Sequence, residues 1–144
     1  KYKDFQILNL KTGLYERFKL EGDQPFPRYR HSASLFDSNK ILIFGGFHEG
    51  MLNDTAIVTI EDTTRNRISL RCANVYQKAL TLTYKKITTT GGEDVKRSSH
   101  SANIYNNKMY VFGGRNNSEP CIRSNSLFSL DISDYFYDQI NNRT

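Results

Sequence analysis

The feature that most constrains this chain is an internal repeat. Residues 15–36, YERFKLEGDQPFPRYRHSASLF, align without gaps on residues 84–105, YKKITTTGGEDVKRSSHSANIY. After one deleted residue the two copies continue as NKILIFGG (39–46) and NKMYVFGG (107–114). Because self-similarity at periods of roughly 20–50 residues is typical of repeat architectures, the chain is predicted to consist of successive copies of one structural unit.

Each copy predicts a β-hairpin that leads into a pair of glycines. A His-Ser-Ala segment passes into hydrophobic and aromatic residues, a short polar turn follows, and the second strand is ILIF (41–44) or MYVF (109–112). These residue types suit a buried pleated surface. Glycine permits a positive φ and the close approach of a neighbouring backbone, so we expect both pairs to end the second strand. The glycines concerned are Gly45, Gly46, Gly113 and Gly114.

Third and fourth strands complete the predicted unit, and their spacing reveals an insertion. Third strands are predicted at residues 4–10, 55–62 and 125–133, and fourth strands from Tyr15, Tyr84 and Tyr135. His31 and His100 lie 69 positions apart, but the middle unit carries about 19 extra residues before its fourth strand, and without them the period is about 50. The insertion, residues 63–80, forms either an extra hairpin or a variable loop.

The order of these motifs resembles the kelch family of β-propellers. The resemblance rests on Arg-x-x-His, on the hydrophobic-aromatic-Gly-Gly run and on Asn53-Asp54 ahead of a strand, and it covers nearly the whole chain outside the insertion. It implies an all-β fold of four-stranded antiparallel blades around a channel. About two and a half blades fit into this length, so we expect part of a propeller of about six or seven blades, completed by further blades of the same polypeptide; completion by oligomerisation is the second possibility. The predicted partition is strands 3–4 of one blade in residues 1–20, a full blade in 28–90 and an incomplete blade in 97–144.

Residues that recur at equivalent positions are assigned mainly to architecture. His31 and His100 each follow an arginine by three residues, and a repeated structural hydrogen bond explains them better than catalysis does. For Arg28 and Arg97 a structural salt bridge or backbone bond is predicted, with partner contact left open. Tyrosine stands where the family usually has Trp, at the start of the fourth strand, and can fill that inter-blade position if its hydroxyl finds a partner. These tyrosines are Tyr15 and Tyr84.

The sequence predicts no catalytic, metal or cofactor site. The three histidines, His31, His48 and His100, show no paired-His or His-Cys spacing of the kind a metal site needs. None of the glycine pairs leads into a phosphate loop, and no GxSxG nucleophile elbow is present. We therefore expect a non-enzymatic module. The alternative is a propeller that belongs to an enzyme, either as a catalytic unit like that of a kelch-like copper oxidase or as an appendage to a transferase, phosphatase or ubiquitin ligase.

Protein recognition is predicted at one end of the blades. Strands alternate in direction, so the second-to-third connections (47–53 and 115–123) and the fourth-to-first connections (22–29 and 91–99) lie on the same end, which kelch propellers commonly use for partners. The sequence after Gly114 is not repeated after Gly46, and unrepeated residues are the better candidates for function; a solvated loop is the competing interpretation. The candidate contact residues are Arg115, Asn117, Arg123, Phe47, His48 and Phe26.

Composition limits the class of partner and the compartment. The net charge of +5 favours an acidic protein partner, while the scattered Lys and Arg argue against nucleic acid. No apolar run approaches the ~18 residues of a membrane span. Cys72 and Cys121 have no CxxC spacing, which predicts free thiols and a cytoplasmic location. Three N-x-Ser/Thr sequons, at residues 53, 116 and 142, point the other way but arise by chance in an Asn-rich chain.

Overall fold

The computed structural model describes residues 5–62, 80–90, 95–116 and 123–137 of the 144-residue chain. These residues form the all-β architecture that the sequence predicts, together with one helical turn that it does not. The strands are β1 (Ile7–Leu8), β2 (Tyr15–Glu16), β3 (Phe18–Gly22), β4 (Ser32–Asp37), β5 (Lys40–Phe47), β6 (Met51–Asp62), β7 (Leu80–Ile87), β8 (Ser101–Tyr105), β9 (Lys108–Phe112) and β10 (Leu127–Asp131), followed by α1 (Asp134–Tyr137).

The central sheet has the strand order β3-β7-β6-β5-β4. Strands β4 to β7 form an antiparallel meander, in which Leu42 pairs with Ile57 and Val58 pairs with Tyr84. β3 adds to the outer edge in a parallel direction, with Phe18 opposite Leu80. A smaller sheet precedes it (β1-β2), and a three-stranded sheet follows it (β10-β9-β8).

Both faces of the central sheet are buried. Side chains alternate between the two faces along each strand, so each strand contributes to two cores. On one face Leu42, Phe44 and Ile57 form a core with Met109 and Val111 of the following sheet. On the opposite face the core consists of Ile43, Ala56, Val58, Leu82 and Tyr84, against which Phe5 and Ile7 from the start of the chain pack. This explains why β5 is an uninterrupted apolar run, since a strand covered on both sides has no solvent face.

The hairpin of the following sheet has the two-residue turn expected from its sequence. Tyr105 pairs with Lys108, and the intervening Asn106 and Asn107 have φ values of 47° and 58°. Positive φ at both central positions defines a type I′ turn, whose twist matches that of the flanking strands. Asparagine tolerates this left-handed region better than other non-glycine residues do.

The first glycine pair does not end its strand. β5 continues through Gly45 and Gly46 to Phe47, with a shift of register between Phe44 and Gly46. Positive φ values of 61° and 101° at the two glycines place them in a β-bulge, so the strand bends and pairing resumes beyond it. In the second copy β9 does end at Phe112, directly before Gly113.

The fourth strands also differ from the predicted boundaries. Leu80, placed by sequence in the insertion, begins β7, so Tyr84 is the fifth residue of its strand rather than the first. After Tyr15 and Glu16 pair with β1, the chain moves on to pair with β7 as β3. Tyr135, expected in a strand, lies in α1. Residues 63–79 of the insertion lie outside the described residues, and the partition into blades stays a prediction.

Candidate protein interface at the loop end

The connection between β5 and β6 is shorter than the loop that the sequence predicts. Phe47 pairs with Met51, so the turn consists of residues 48–50 alone. Glu49 adopts a φ of 60°, and the amide of His48 donates to the carbonyl of Gly50 at 2.9 Å. This tight turn fixes Phe47 and His48 on ordered backbone at the end of the central sheet.

Four aromatic rings gather around this turn, and we call them the aromatic cluster: Phe26, Tyr29, Phe47 and His48. The rings of Phe26 and His48 have centroids 6.2 Å apart, and those of Tyr29 and Phe47 are 5.4 Å apart. Backbone bonds in both directions join Tyr29 to Phe47. Phe26 is 52% exposed and Tyr29 is 41% exposed. Large exposed rings held by ordered backbone are typical anchors of protein interfaces.

Cations border the aromatic cluster. The Lys86 ammonium lies 4.4 Å from the centroid of Phe26, and the guanidinium of Arg30 lies 5.5 Å from the centroid of Tyr29. Both distances fall within the range of cation–π attraction. The cluster therefore presents apolar surface next to positive charge.

Arg115 and Arg123, both predicted contact residues, are brought together by backbone pairing. Arg115 pairs on one side with Ser98 and on the other with Arg123. The carbonyl of Arg97, next to Ser98, accepts a bond from the amide of Gly46 at 2.9 Å. The arginine pair and the aromatic cluster thus flank the same segment at the same end of the sheets. Asn117 lies outside the described residues, and partner binding by all six candidates stays a prediction.

Arg28 and Arg97 brace the glycine pairs from equivalent positions. Arg28 donates to the carbonyl of Gly45 at 3.1 Å and, with two nitrogens, to both carboxylate oxygens of Asp54. Burial alone would lower the pKa of Arg28, but the hydrogen bond and charge of Asp54 raise it overall. Arg97 donates to the carbonyl of Gly113 at 2.9 Å and to the Ser126 hydroxyl at 3.1 Å, and burial lowers its pKa.

His100 lies between the two repeats. Its Nε2 is 2.9 Å from Oγ of Ser32, and its ring meets Phe44 edge-on with centroids 5.3 Å apart. Burial, followed by the charge of Arg97 and of His31, lowers the pKa of His100 to about 4. Partial burial of its ring and the charge of Arg28 also lower the pKa of His31, which lies directly before β4.

The contact between His100 and Ser32 does not have the geometry of a nucleophile with its base. Within the described residues Nδ1 of His100 is buried without a hydrogen-bond partner, so nothing orients the imidazole as a catalytic triad requires. A pKa of about 4 also makes the ring a weak base at neutral pH. This contact joins β4 to the segment that enters β8.

The two tyrosines that the repeat pairs with each other occupy different environments. Tyr84 is 1% exposed and packs in the core against Phe5, at a centroid distance of 6.0 Å, whereas Tyr15 is 70% exposed. Burial raises the pKa of Tyr84, and within the described residues its hydroxyl has no hydrogen-bond partner. Tyr84 thus fills this position by packing in the core.

Sequence reasoning missed Tyr29, Arg30 and Lys86 at this end of the molecule. Tyr29 stands where the second copy has Ser98, so the criterion of unrepeated residues would have found it. Lys86 carries no such signal, because only the folded sheet brings β7 beside Phe26. Among the described residues no group of three or more His, Cys, Asp or Glu side chains could hold a metal ion. No helix in the described part of the chain is long and apolar enough to cross a bilayer.

Comparison with known proteins identifies the family. The model of the KLHDC2/KLHL20/DRC7 Kelch-repeats domain matches residues 1–144. The leucine-zipper-like transcriptional regulator 1 homolog of Drosophila melanogaster is 28% identical over 130 residues, which cover 90% of this chain and 12% of that protein. Host cell factor 1 of Rattus norvegicus is 33% identical over 115 residues, or 78% of this chain and 5% of that protein. The chain thus spans a small part of the curated relatives it matches. The chain belongs to the kelch-repeat family, and its fold is that of part of a β-propeller.

Proposed function

We propose that this part of the propeller holds an acidic protein partner against its loop end, without catalysis. Kelch membership and the likeness to host cell factor support a protein-interaction module. The loop end is proposed as the binding surface because the aromatic cluster and its bordering cations lie there. These residues lie on ordered backbone at one end of the sheets, and several of them occupy positions where the two repeats differ.

The difference between the repeats separates binding from architecture. Tyr29 and Phe47 of the first copy correspond to Ser98 and Arg115 of the second, yet both pairs form the same backbone bridge. The bridge needs no particular side chain. Ser98 is buried, so the fold leaves Tyr29, Phe47 and Arg115 free to carry recognition. One copy presents aromatic surface and the other presents a cation, which suits a partner with apolar and acidic groups side by side.

The chemistry of the described histidines supports a non-catalytic role. The half-buried ring of His100, with its low pKa, is neutral at physiological pH and lies within hydrogen-bond distance of the Ser32 hydroxyl. We also propose a cytoplasmic location, on the two cysteines that lack a disulfide or metal spacing.

The test is a comparison of binding affinities after partners have been identified by affinity purification and mass spectrometry. Phe26→Ala should weaken the most enriched partner by roughly tenfold or more, since truncation of an aromatic anchor costs ~2 kcal/mol. The double substitution of Arg115 and Arg123 by Ala should also weaken binding and reduce its dependence on salt, because charge complementarity at an interface is screened by ions.

Matched controls lie at the opposite end of the sheets, in the β1–β2 turn. Leu10 is 89% exposed and controls for loss of an apolar side chain, while the exposed Lys11 controls for loss of a cation. Leu10→Ala and Lys11→Ala should leave affinity unchanged. Equal losses in the control and loop-end variants, with melting temperatures preserved, would reject the loop end as the binding surface.

A further inference from the structure

One edge of the central sheet is formed by β3, which is added outside the antiparallel meander. β3 pairs with β7 on one side, and no strand among the described residues pairs with its other side. Neighbouring sheets pack on the two faces of the central sheet and do not pair with this edge. Because an unpaired edge presents free N–H and C=O groups, it can accept a further strand.

A single backbone bond shows which groups of β3 point outward. The amide of Asp23 donates to the carbonyl of Tyr84 at 2.8 Å, so the backbone groups of Asp23 face β7. Successive residues of a strand direct these groups to opposite sides, and the odd-numbered residues of β3 therefore face β7 as well. The even-numbered residues direct their amides and carbonyls to the open edge, and these are Phe18, Leu20 and Gly22.

Charges of opposite sign occupy the two halves of this segment. Residues 17–23 read RFKLEGD, with two cations before Leu20 and two carboxylates after it. Nζ of Lys19 lies 2.6 Å from Oε1 of Glu21, so both side chains project from the same face of the sheet. Phe18 and Leu20 pack on the opposite face, in the core that contains Tyr84. We call the four exposed charged residues the charged edge: Arg17, Lys19, Glu21 and Asp23.

The charged edge is not demanded by the repeat. Its four positions align in the second copy with Lys86, Thr88, Thr90 and Gly92, so only the first charge recurs. Gly22 aligns with Gly91 and has a structural reason, because an added Cβ would collide with the carbonyl oxygen of Tyr84. The architecture thus explains the glycine and leaves three of the four charges without a role.

Two antiparallel copies of β3 are complementary in one register, the one with Leu20 opposite the second copy's Leu20. Every cation then faces a carboxylate, with Arg17 opposite the second copy's Asp23. Lys19 likewise faces Glu21. A two-residue shift in one direction places Lys19 opposite itself, and the reverse shift places Glu21 opposite itself. Facing strands are stabilised by opposite charges and destabilised by like charges, so the sequence selects the symmetric register.

We propose that a second copy of this chain docks on β3 and joins two central sheets into one continuous sheet across a two-fold axis. Leu20 exchanges both of its outward backbone bonds with the second copy's Leu20, and Phe18 pairs with Gly22. Such an interface is isologous, and assembly ends at the dimer because this edge is then fully paired. The dimer differs from completion of a propeller, in which sheets stack face to face.

Sedimentation velocity of the 144-residue chain tests the proposal over a range of protein concentrations. We expect a dimer whose Kd rises with salt, because the charged edge is exposed and salt screens its ion pairs. Lys19→Glu should raise the Kd by about tenfold or more, since it converts two attractive pairs into two repulsive ones, and Glu21→Lys should do the same. An equimolar mixture of the two variants should associate again, because every facing pair then has opposite charges.

A matched charge reversal and a backbone readout control the experiment. Lys11→Glu reverses an exposed cation in the turn between β1 and β2, outside the paired segment, and should leave association unchanged. Amide exchange followed by NMR reports on the edge itself. Exchange of the Leu20 amide should slow as the protein concentration rises, whereas the Glu21 amide, which faces β7, should be protected at every concentration.

Three outcomes would overturn the proposal. A chain that remains monomeric at low salt does not pair through β3. A dimer that neither charge reversal weakens forms through another surface, such as the exposed faces of the outer sheets. If both variants dissociate and their mixture does not associate, the two copies do not pair in the symmetric register.

Discussion

Removal of the Asp54 carboxylate should destabilise the chain more than any equivalent change in the second repeat. The side chain of Arg28 is 6% exposed and its guanidinium holds both oxygens of Asp54. Asp54→Ala leaves this cation buried without its counter-charge. Breaking a buried pair by removing one partner costs ~3–5 kcal/mol.

The structure places the expected cost below that range. The side chain of Asp54 is 29% exposed, so water can partly replace the lost carboxylate, and Arg28 keeps its bond to the carbonyl of Gly45. We therefore expect a loss of about 2–3 kcal/mol in the free energy of unfolding. For a chain of this size that corresponds to a fall in melting temperature of about 5–10 °C.

The second repeat offers a matched comparison. Ser126 occupies the position of Asp54 relative to the glycine pair and accepts a bond from Arg97 at 3.1 Å. It carries no charge and is exposed, so Ser126→Ala should cost less than about 1 kcal/mol. The two substitutions thus differ in the charge that they remove, while the arginine and the carbonyl it braces stay the same.

Urea unfolding followed by circular dichroism measures both effects, and a double-mutant cycle with Arg28→Met isolates the interaction between the two side chains. Coupling between Arg28 and Asp54 should exceed about 1 kcal/mol, because the methionine variant no longer buries a cation that needs Asp54. Coupling near zero, or a cost of Asp54→Ala no larger than that of Ser126→Ala, would refute this account of the pair.

Two further predictions follow from the same part of the molecule. Gly46→Ala should lower the free energy of unfolding in urea by more than about 2 kcal/mol, because the φ of Gly46 is 101° and the added Cβ would lie 2.9 Å from Cβ of His31. Gly50→Ala, with open space around it, should be close to neutral. Equal effects of the two substitutions would contradict the strained bulge as the cause. The pKa of His100 is about 4, below its ordinary 6.5, so the unfolded chain binds this proton more readily than the folded chain does. The melting temperature should therefore fall as the pH drops from 6.5 towards 4, and His100→Gln should reduce this dependence on pH. If the substitution leaves the pH dependence unchanged, His100 is not its source.

The repeat predicted the fold well because it acts at two levels. Alternating apolar residues indicate strands, and two copies in the same order indicate stacked sheets that bury each other's faces. Leu42 and Met109 belong to different copies and meet in one core, as stacking requires. A single strand pattern would not have shown which faces were covered.

Strand boundaries were the weaker part of the prediction, for reasons that are visible in the structure. A glycine pair permits a sharp turn and also a β-bulge, and residues 45–46 form the bulge because Phe47 and Met51 can still pair beyond it. β7 begins at Leu80 because β6 extends to Asp62 and offers it a partner. Pairing between distant strands decides both boundaries, and local sequence does not report it.

The candidate site was predicted where a residue breaks the repeat and missed where only tertiary structure brings a residue in. Phe47 and Arg115 are equivalent positions with different side chains, and both lie at the loop end. Lys86 reaches the ring of Phe26 across the sheet, from a strand on which it is not otherwise distinguished.

Equivalent positions therefore divide into two groups by what the backbone demands of them. Gly46 and Gly114 must remain glycine for two reasons. Both have a positive φ, and an added Cβ would lie within 3 Å of an atom of the neighbouring segment. Phe47 and Arg115, one residue further on, form the same bridge with different side chains. In both copies a fixed position is thus followed directly by a free one. Substitution at the free positions can therefore change the surface of the loop end, while the backbone contacts that hold neighbouring sheets together stay intact.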